Sequence, residues 1–112
     1  MNLKTLQTEV DLWIQTYGVR YFNELTNLAL LTEEVGELAR LTARTYGEQS
    51  FREHTAPNDT REAIADEMAD ILFVLTCLAN QMHVDLEQAV LRNLEKKTRR
   101  DHERHKQNPR LK

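Results

Sequence analysis

Five carboxylates stand at spacings that suit divalent-metal chemistry. Glu34 and Glu37 are three residues apart, as are Glu67 and Asp70, and Glu33 sits beside the first pair. At about 100° of helix per residue, Glu34 points into an apolar arc that includes Leu30, Leu41, Leu38 and Val35. Glu37 lies at the edge of that arc and Glu33 just outside it. Glu67 falls likewise among Ile64, Ile71, Val74 and Leu78, with Asp70 at the margin. A carboxylate in an apolar face costs free energy unless a counter-charge meets it. No Lys or Arg lies on these inward arcs. Two facing pairs would form a four-carboxylate cage whose hard oxygen ligands suit Mg²⁺ or Mn²⁺. The competing reading is a solvated acidic face, which is strongest for Glu33 taken alone. A di-iron bundle needs Glu-x-x-His on two helices, and no Glu here is followed three residues on by His.

A second group could serve a phosphate. In the last helical segment Lys97 falls inside the arc of Leu86, Val90, Leu91 and Leu94, while Lys96, Arg99 and Arg100 lie on the opposite side. Lys97 either meets a phosphate or extends its stem past the core edge into water. Asn93 either hydrogen-bonds a substrate or caps the bundle. The aromatics Trp13, Tyr17, Tyr21 and Phe22 precede the first acidic motif and could stack on a flat ring of a ligand, although core packing is the stronger reading for Trp13. Nothing resembles a Ser or Cys nucleophile with its base. Cys77 lies in an apolar run, and the four histidines fall in loops, at a helix end or in the polar tail.

Four helices are needed to position these groups, and the 3.6-residue periodicity supplies them. The first spans about residues 3–17 and is stopped by Gly18. The second spans about 24–45 behind Asn23 as N-cap. A polar loop from Tyr46-Gly47 to Asn58 follows. The third spans about 60–83, where Asp59 and Glu62 form a capping box. The fourth begins after Asp85 and runs to about 103. Ile71–Ala79 is apolar nearly all round, as in a centrally buried helix. No period-2 alternation appears, so the expected fold is all-α, a four-helix antiparallel bundle. Residues 1–104 are expected to form one domain and 105–112 a basic flexible tail. Helices this few leave apolar surface on more than one side, so association is expected.

Composition removes other classes. Three Gly and two Pro are too few for a turn-rich β-sandwich or barrel. At 40% hydrophobic and 29% charged, the 112 residues are not compositionally disordered. A single cysteine makes no intrachain disulfide and points to a reducing compartment. Residues 1–5 lack a signal peptide's apolar core. The longest nearly apolar run, nine residues, falls short of the roughly 20 a membrane span needs. The expected location is therefore cytoplasmic. The net charge of −3 hides a division: residues 1–95 carry −9 and residues 96–112 carry +6. An acidic body argues against a nucleic-acid partner.

These motifs resemble the MazG-type all-α nucleoside triphosphate pyrophosphohydrolases, in their short single-domain bacterial branch. The resemblance rests on Glu33-Glu34-x-x-Glu37 followed on a later helix by Glu67-x-x-Asp70. Asn27-Leu28-Ala29 before the first motif and Val84-Asp85-Leu86-Glu87-Gln88-Ala89 after the second extend it over about residues 9–104. It implies Mg²⁺-dependent hydrolysis of a (deoxy)nucleoside triphosphate to the monophosphate and pyrophosphate, a role suited to cleaning the nucleotide pool. It carries Glu34, Glu37, Glu67 and Asp70 over as metal ligands and Glu33 as a ligand or a positioner of the attacking water. Lys96, Arg99 and Arg100 resemble the family's basic element, and Asn27 matches a position able to hydrogen-bond a base or sugar. Asn27, Asn93, Lys96, Lys97 and Arg100 make up the expected substrate set. The family implies homodimers or homotetramers. Two departures stand out: the segment between Glu37 and Glu67 is long, and Lys97-Thr98 stands where the basic element often has asparagine. Phosphoribosyl-ATP pyrophosphohydrolase, within the same superfamily, and a non-catalytic helical interaction module are the alternatives.

Overall fold

The computed structural model describes all 112 residues as four α-helices with no strand: α1 (Leu3–Trp13), α2 (Glu24–Tyr46), α3 (Thr60–Gln81) and α4 (Leu86–Asp101). Each begins at a side-chain cap. The Asn2 carboxamide oxygen accepts from the Thr5 N–H at 2.8 Å, and the Thr5 hydroxyl accepts from the Asn2 N–H at 2.9 Å. Asn23, Asp59 and Asp85 accept from Thr26, Glu62 and Gln88 in the same manner. The three caps named from sequence are therefore present, but the expected box at Asp59 and Glu62 forms only its Glu62 N–H to Asp59 half.

The first helix departs from expectation. Its α-helical hydrogen bonding ends at Trp13 and continues as a π-helical turn over Ile14–Gly18. Val19 then adopts φ 69° and ψ −57°, and the Arg20 N–H donates to the Gly18 carbonyl at 2.8 Å. This is a γ-turn of the strained hand, on a β-branched residue. π-helical turns gather at functional sites, and here Ile14 and Gly18 of the turn line a cavity described below.

α2 and α3 form the main contact and α1 packs across α3. Val10, Ile14 and Cys77 form the central cluster, flanked by Leu6, Tyr21 and Phe73. A polar network fixes the other end. Gln7 Nε2 donates to Asn80 Oδ1 and to the Val84 carbonyl, Gln7 Oε1 accepts from the Leu86 N–H, and Asn80 Nδ2 donates to the Gln7 carbonyl. Helix α4 is thus hinged onto α1 through its first turn.

The all-α four-helix fold is the expected one, but within a single chain α4 is left unpacked. No residue of α4 is buried, and Val90, Leu91 and Leu94 stand exposed. Only nine residues of the chain are buried. The radius of gyration is 17.9 Å, against about 13 Å for a compact domain of this length. Expected central burial of α3 holds for Thr76–Ala79, but Met68, Leu72 and Leu75 remain uncovered on another face. After Asp101 the chain makes turns and a short 3₁₀ turn at Pro109–Leu111, capped by Asn108. No helix is long and apolar enough to cross a membrane.

Candidate active site

The contact between α2 and α3 brings three of the five acidic residues together. Carboxylate oxygens of Glu34, Glu67 and Asp70 lie within 4.8 Å of one another. Glu34 and Glu67 are partly buried, and Asp70 opens to solvent. No Lys or Arg pairs with any of the three, and Glu67 Oε2 is buried without a hydrogen-bond partner. The Glu34 carboxyl is held above the usual carboxylate range, first by a proton-sharing hydrogen bond with Glu67, then by burial and by Glu67's charge. Burial about its carboxyl and then repulsion from Glu34 and Asp66 raise Asp70. Crowded carboxylates, one with an orphaned buried oxygen, are a donor set that fits a hard divalent cation.

The other two acids are placed differently. Glu37 is exposed and turns to Arg40, whose guanidinium lies 3.2 Å from its Oε2. Its charge still acts on Glu34, so it borders the cluster without joining it. Glu33 is exposed, as expected.

Of the residues expected to bind substrate, Asn27 is buried, and its Nδ2 donates to Gln81 Oε1 at 2.8 Å and to the Phe22 carbonyl at 3.3 Å. Its amide donors therefore tie the α2 entry to the end of α3. The expectation that Lys97 faces inward is corrected: α4 packs no core, so Asn93, Lys96 and Lys97 are all exposed. Arg100 is held by Asp101 at 2.8 Å. The structure does not gather these four with the acidic cluster within one chain.

A cavity of about 340 Å³ lies on the N-terminal side of Glu34 along α2. Trp13, Tyr21, Phe22, Asn27, Leu30 and Phe73 line it, with the Ile14–Gly18 turn forming part of its wall. Trp13 meets Phe73 edge to face at 5.5 Å. Three of the four singled-out aromatics are thus wall residues; Tyr17 is exposed beside Trp13. Phe73 was missed because it sits inside an apolar run that reads as core. The Cys77 thiol, buried in the same wall, is pushed up to about 11 by burial and is not a nucleophile at neutral pH.

Comparison with known proteins makes this all-α chain, with its acidic cluster, a hydrolase of phosphoanhydride bonds. Residues 22–105 match the MazG nucleotide pyrophosphohydrolase domain. The chain belongs to this MazG family. It is 41% identical over 103 residues to protein YpjD of Bacillus subtilis, covering 92% of this chain and 89% of that one. The YpjD crystal structure superposes with a TM-score of 0.73 at 40% identity, over 86% of this chain and 94% of that chain. A Bacillus-conserved MazG protein, a nucleotide pyrophosphohydrolase, gives 0.70 at 38% identity, over 86% and 88%. Bovine dCTP pyrophosphatase 1 is 40% identical over 80 residues, which cover 70% of this chain and 47% of that longer protein. The substrate class is accordingly a nucleotide.

Proposed function

We propose that the chain hydrolyses a nucleoside or deoxynucleoside triphosphate to the monophosphate and pyrophosphate, with Mg²⁺ or Mn²⁺ held by Glu34, Glu67 and Asp70 and completed by Glu37. The observation that carries this reading is the convergence of three carboxylates with no cation to pair them. When bound, the ion supplies charge neutralisation for the phosphates and a more acidic water.

The chain's own residues orient and exclude. Water attacks the α-phosphorus. The bond to the oxygen bridging α and β breaks, and its electron pair leaves on pyrophosphate. Glu33, exposed beside Glu34, serves as a further ligand or positions the attacking water, whose proton passes to solvent. The apolar cavity beside Leu30 receives the base, with Trp13, Tyr21, Phe22 and Phe73 offering flat walls and Asn27 a carbonyl acceptor. A role in cleaning the nucleotide pool is consistent with such a site.

Two features support association into a homodimer or homotetramer. The uncovered stripes of α3 and α4 need a partner. A second copy is also the route by which the Lys96–Arg100 stretch and Asn93 would reach a triphosphate. Residues 1–104 act as the catalytic unit in this reading, with 105–112 as a basic appendage. Product analysis over a nucleotide panel, including phosphoribosyl-ATP, tests the proposal and separates its superfamily alternative.

A further inference from the structure

Three arginines converge on the far side of the acidic cluster from the apolar cavity. Arg40 and Arg44, one turn apart near the end of α2, and Arg52 of the following loop line a pocket of about 250 Å³ with Thr55. No apolar side chain contributes to it. Arg40 pairs with Glu37, whereas Arg44 and Arg52 meet no carboxylate; Arg44 Nη1 donates only to the Arg40 carbonyl at 3.3 Å. Like charges four residues apart on a helix repel, and a third guanidinium from the loop adds to the cost. The helix C-terminus favours nearby cations, which accounts for Arg44 but not for Arg52. Gly47 ends α2 with its N–H on the Ala43 carbonyl at 2.9 Å, and a Cβ there would meet that oxygen at 2.6 Å.

The order of features along α2 gives this pocket a direction. Asn27 and Leu30 face the apolar cavity, Glu34 the acidic cluster, and Arg40 and Arg44 the basic pocket. At 1.5 Å per residue, Asn27 to Glu34 and Glu34 to Arg40 each span roughly 10 Å of axis. Glu37 joins the last two sites, since it acts on Glu34 and pairs with Arg40. Base, α-phosphate and distal phosphates follow one another in the same sequence.

We infer that Arg40, Arg44 and Arg52 bind the β- and γ-phosphates of the substrate, and hold them as the pyrophosphate leaving group when the α-phosphorus to bridging-oxygen bond breaks. Guanidinium forks match phosphate oxygens. The inference rests on the proposed hydrolysis and assigns the triphosphate's orientation along α2.

The test compares wild type with Arg52→Gln and with the Arg44→Gln/Arg52→Gln double variant, each checked for unchanged helicity. Calorimetric titration with inorganic pyrophosphate, with and without Mg²⁺, is set beside steady-state hydrolysis of a nucleoside triphosphate. Expected is a loss of about ten-fold in pyrophosphate affinity per arginine removed, a matching rise in KM for the triphosphate, and retained affinity for the nucleoside monophosphate. Arg52, exposed in the loop, gives a variant whose folding is not at stake. Undiminished pyrophosphate affinity in Arg52→Gln and in the double variant would overturn the inference while leaving the hydrolysis reading intact. Absence of turnover in wild type would instead contradict the hydrolysis reading, and with it the assignment of the pocket to substrate phosphates.

Discussion

Carboxylate oxygens of Glu67 on α3 and Glu34 on α2 lie within 4.8 Å of each other, and Glu67 Oε2 is buried with no hydrogen-bond donor to meet it. A pair of this kind is unfavourable in the free protein and is relieved by a cation. That relationship sets the first two expectations.

Millimolar Mg²⁺ or Mn²⁺ raises the melting temperature of the wild-type chain. At a hundred-fold excess over Kd, binding to the folded state adds about 2.7 kcal/mol, which corresponds to a shift on the order of 10 °C for a domain of this size. Differential scanning calorimetry checks it. Asp70→Asn and Glu67→Gln abolish the shift.

Glu67→Gln has the opposite effect on the metal-free protein. It removes one member of a repelling pair and gives Glu34 an amide donor, so the unfolding free energy in chelator rises by about 1 kcal/mol. Urea denaturation with and without Mg²⁺ measures both signs: the variant is the more stable without the ion and the less stable with it.

Tyr21 provides an alkaline signature. Burial, followed by its 2.6 Å hydrogen bond to Asp11, pushes its hydroxyl from about 10 up to about 12. The folded state therefore favours the protonated phenol. The associated stability is whole below pH 10 and is lost as pH rises through the folded value near 12. Spectrophotometric titration of the three tyrosines is expected to show one that ionises late, and Tyr21→Phe is expected to remove that late transition.

Asn80→Ala destabilises the chain by about 1–3 kcal/mol. The amide meets Gln7 and the Tyr21 hydroxyl at 3.0–3.1 Å, so its loss leaves partly buried partners unmatched. Because Gln7 also holds the first turn of α4, amide exchange in residues 86–89 is expected to accelerate in the same variant.

Much of this arrangement was legible in the sequence, for physical reasons that can be named. Helix caps are local, and Asn23, Asp59 and Asp85 all act where they were expected. Burial of Glu34 and Glu67 followed from helical phase alone, because their neighbours three and four residues away are apolar. Exposure of Lys97 did not follow, since phase gives a face but not what covers it; α4 shows its apolar stripe to solvent in one chain. Glu37 was placed at the edge of its arc, but its partner Arg40 decides where the carboxylate turns. The π-helical turn at Ile14–Gly18 leaves no periodic mark over five residues. The arginine pocket depends on a loop fold that brings Arg52 back to α2, which spacing along the chain does not encode.

The most direct test of the account is product analysis after incubation with each nucleoside and deoxynucleoside triphosphate and Mg²⁺. The account predicts equal amounts of monophosphate and pyrophosphate from at least one of them, abolished by chelator and reduced by about two orders of magnitude or more in Asp70→Asn and Glu37→Gln. Release of orthophosphate and diphosphate, turnover that persists in chelator, or no turnover of any nucleotide would contradict it.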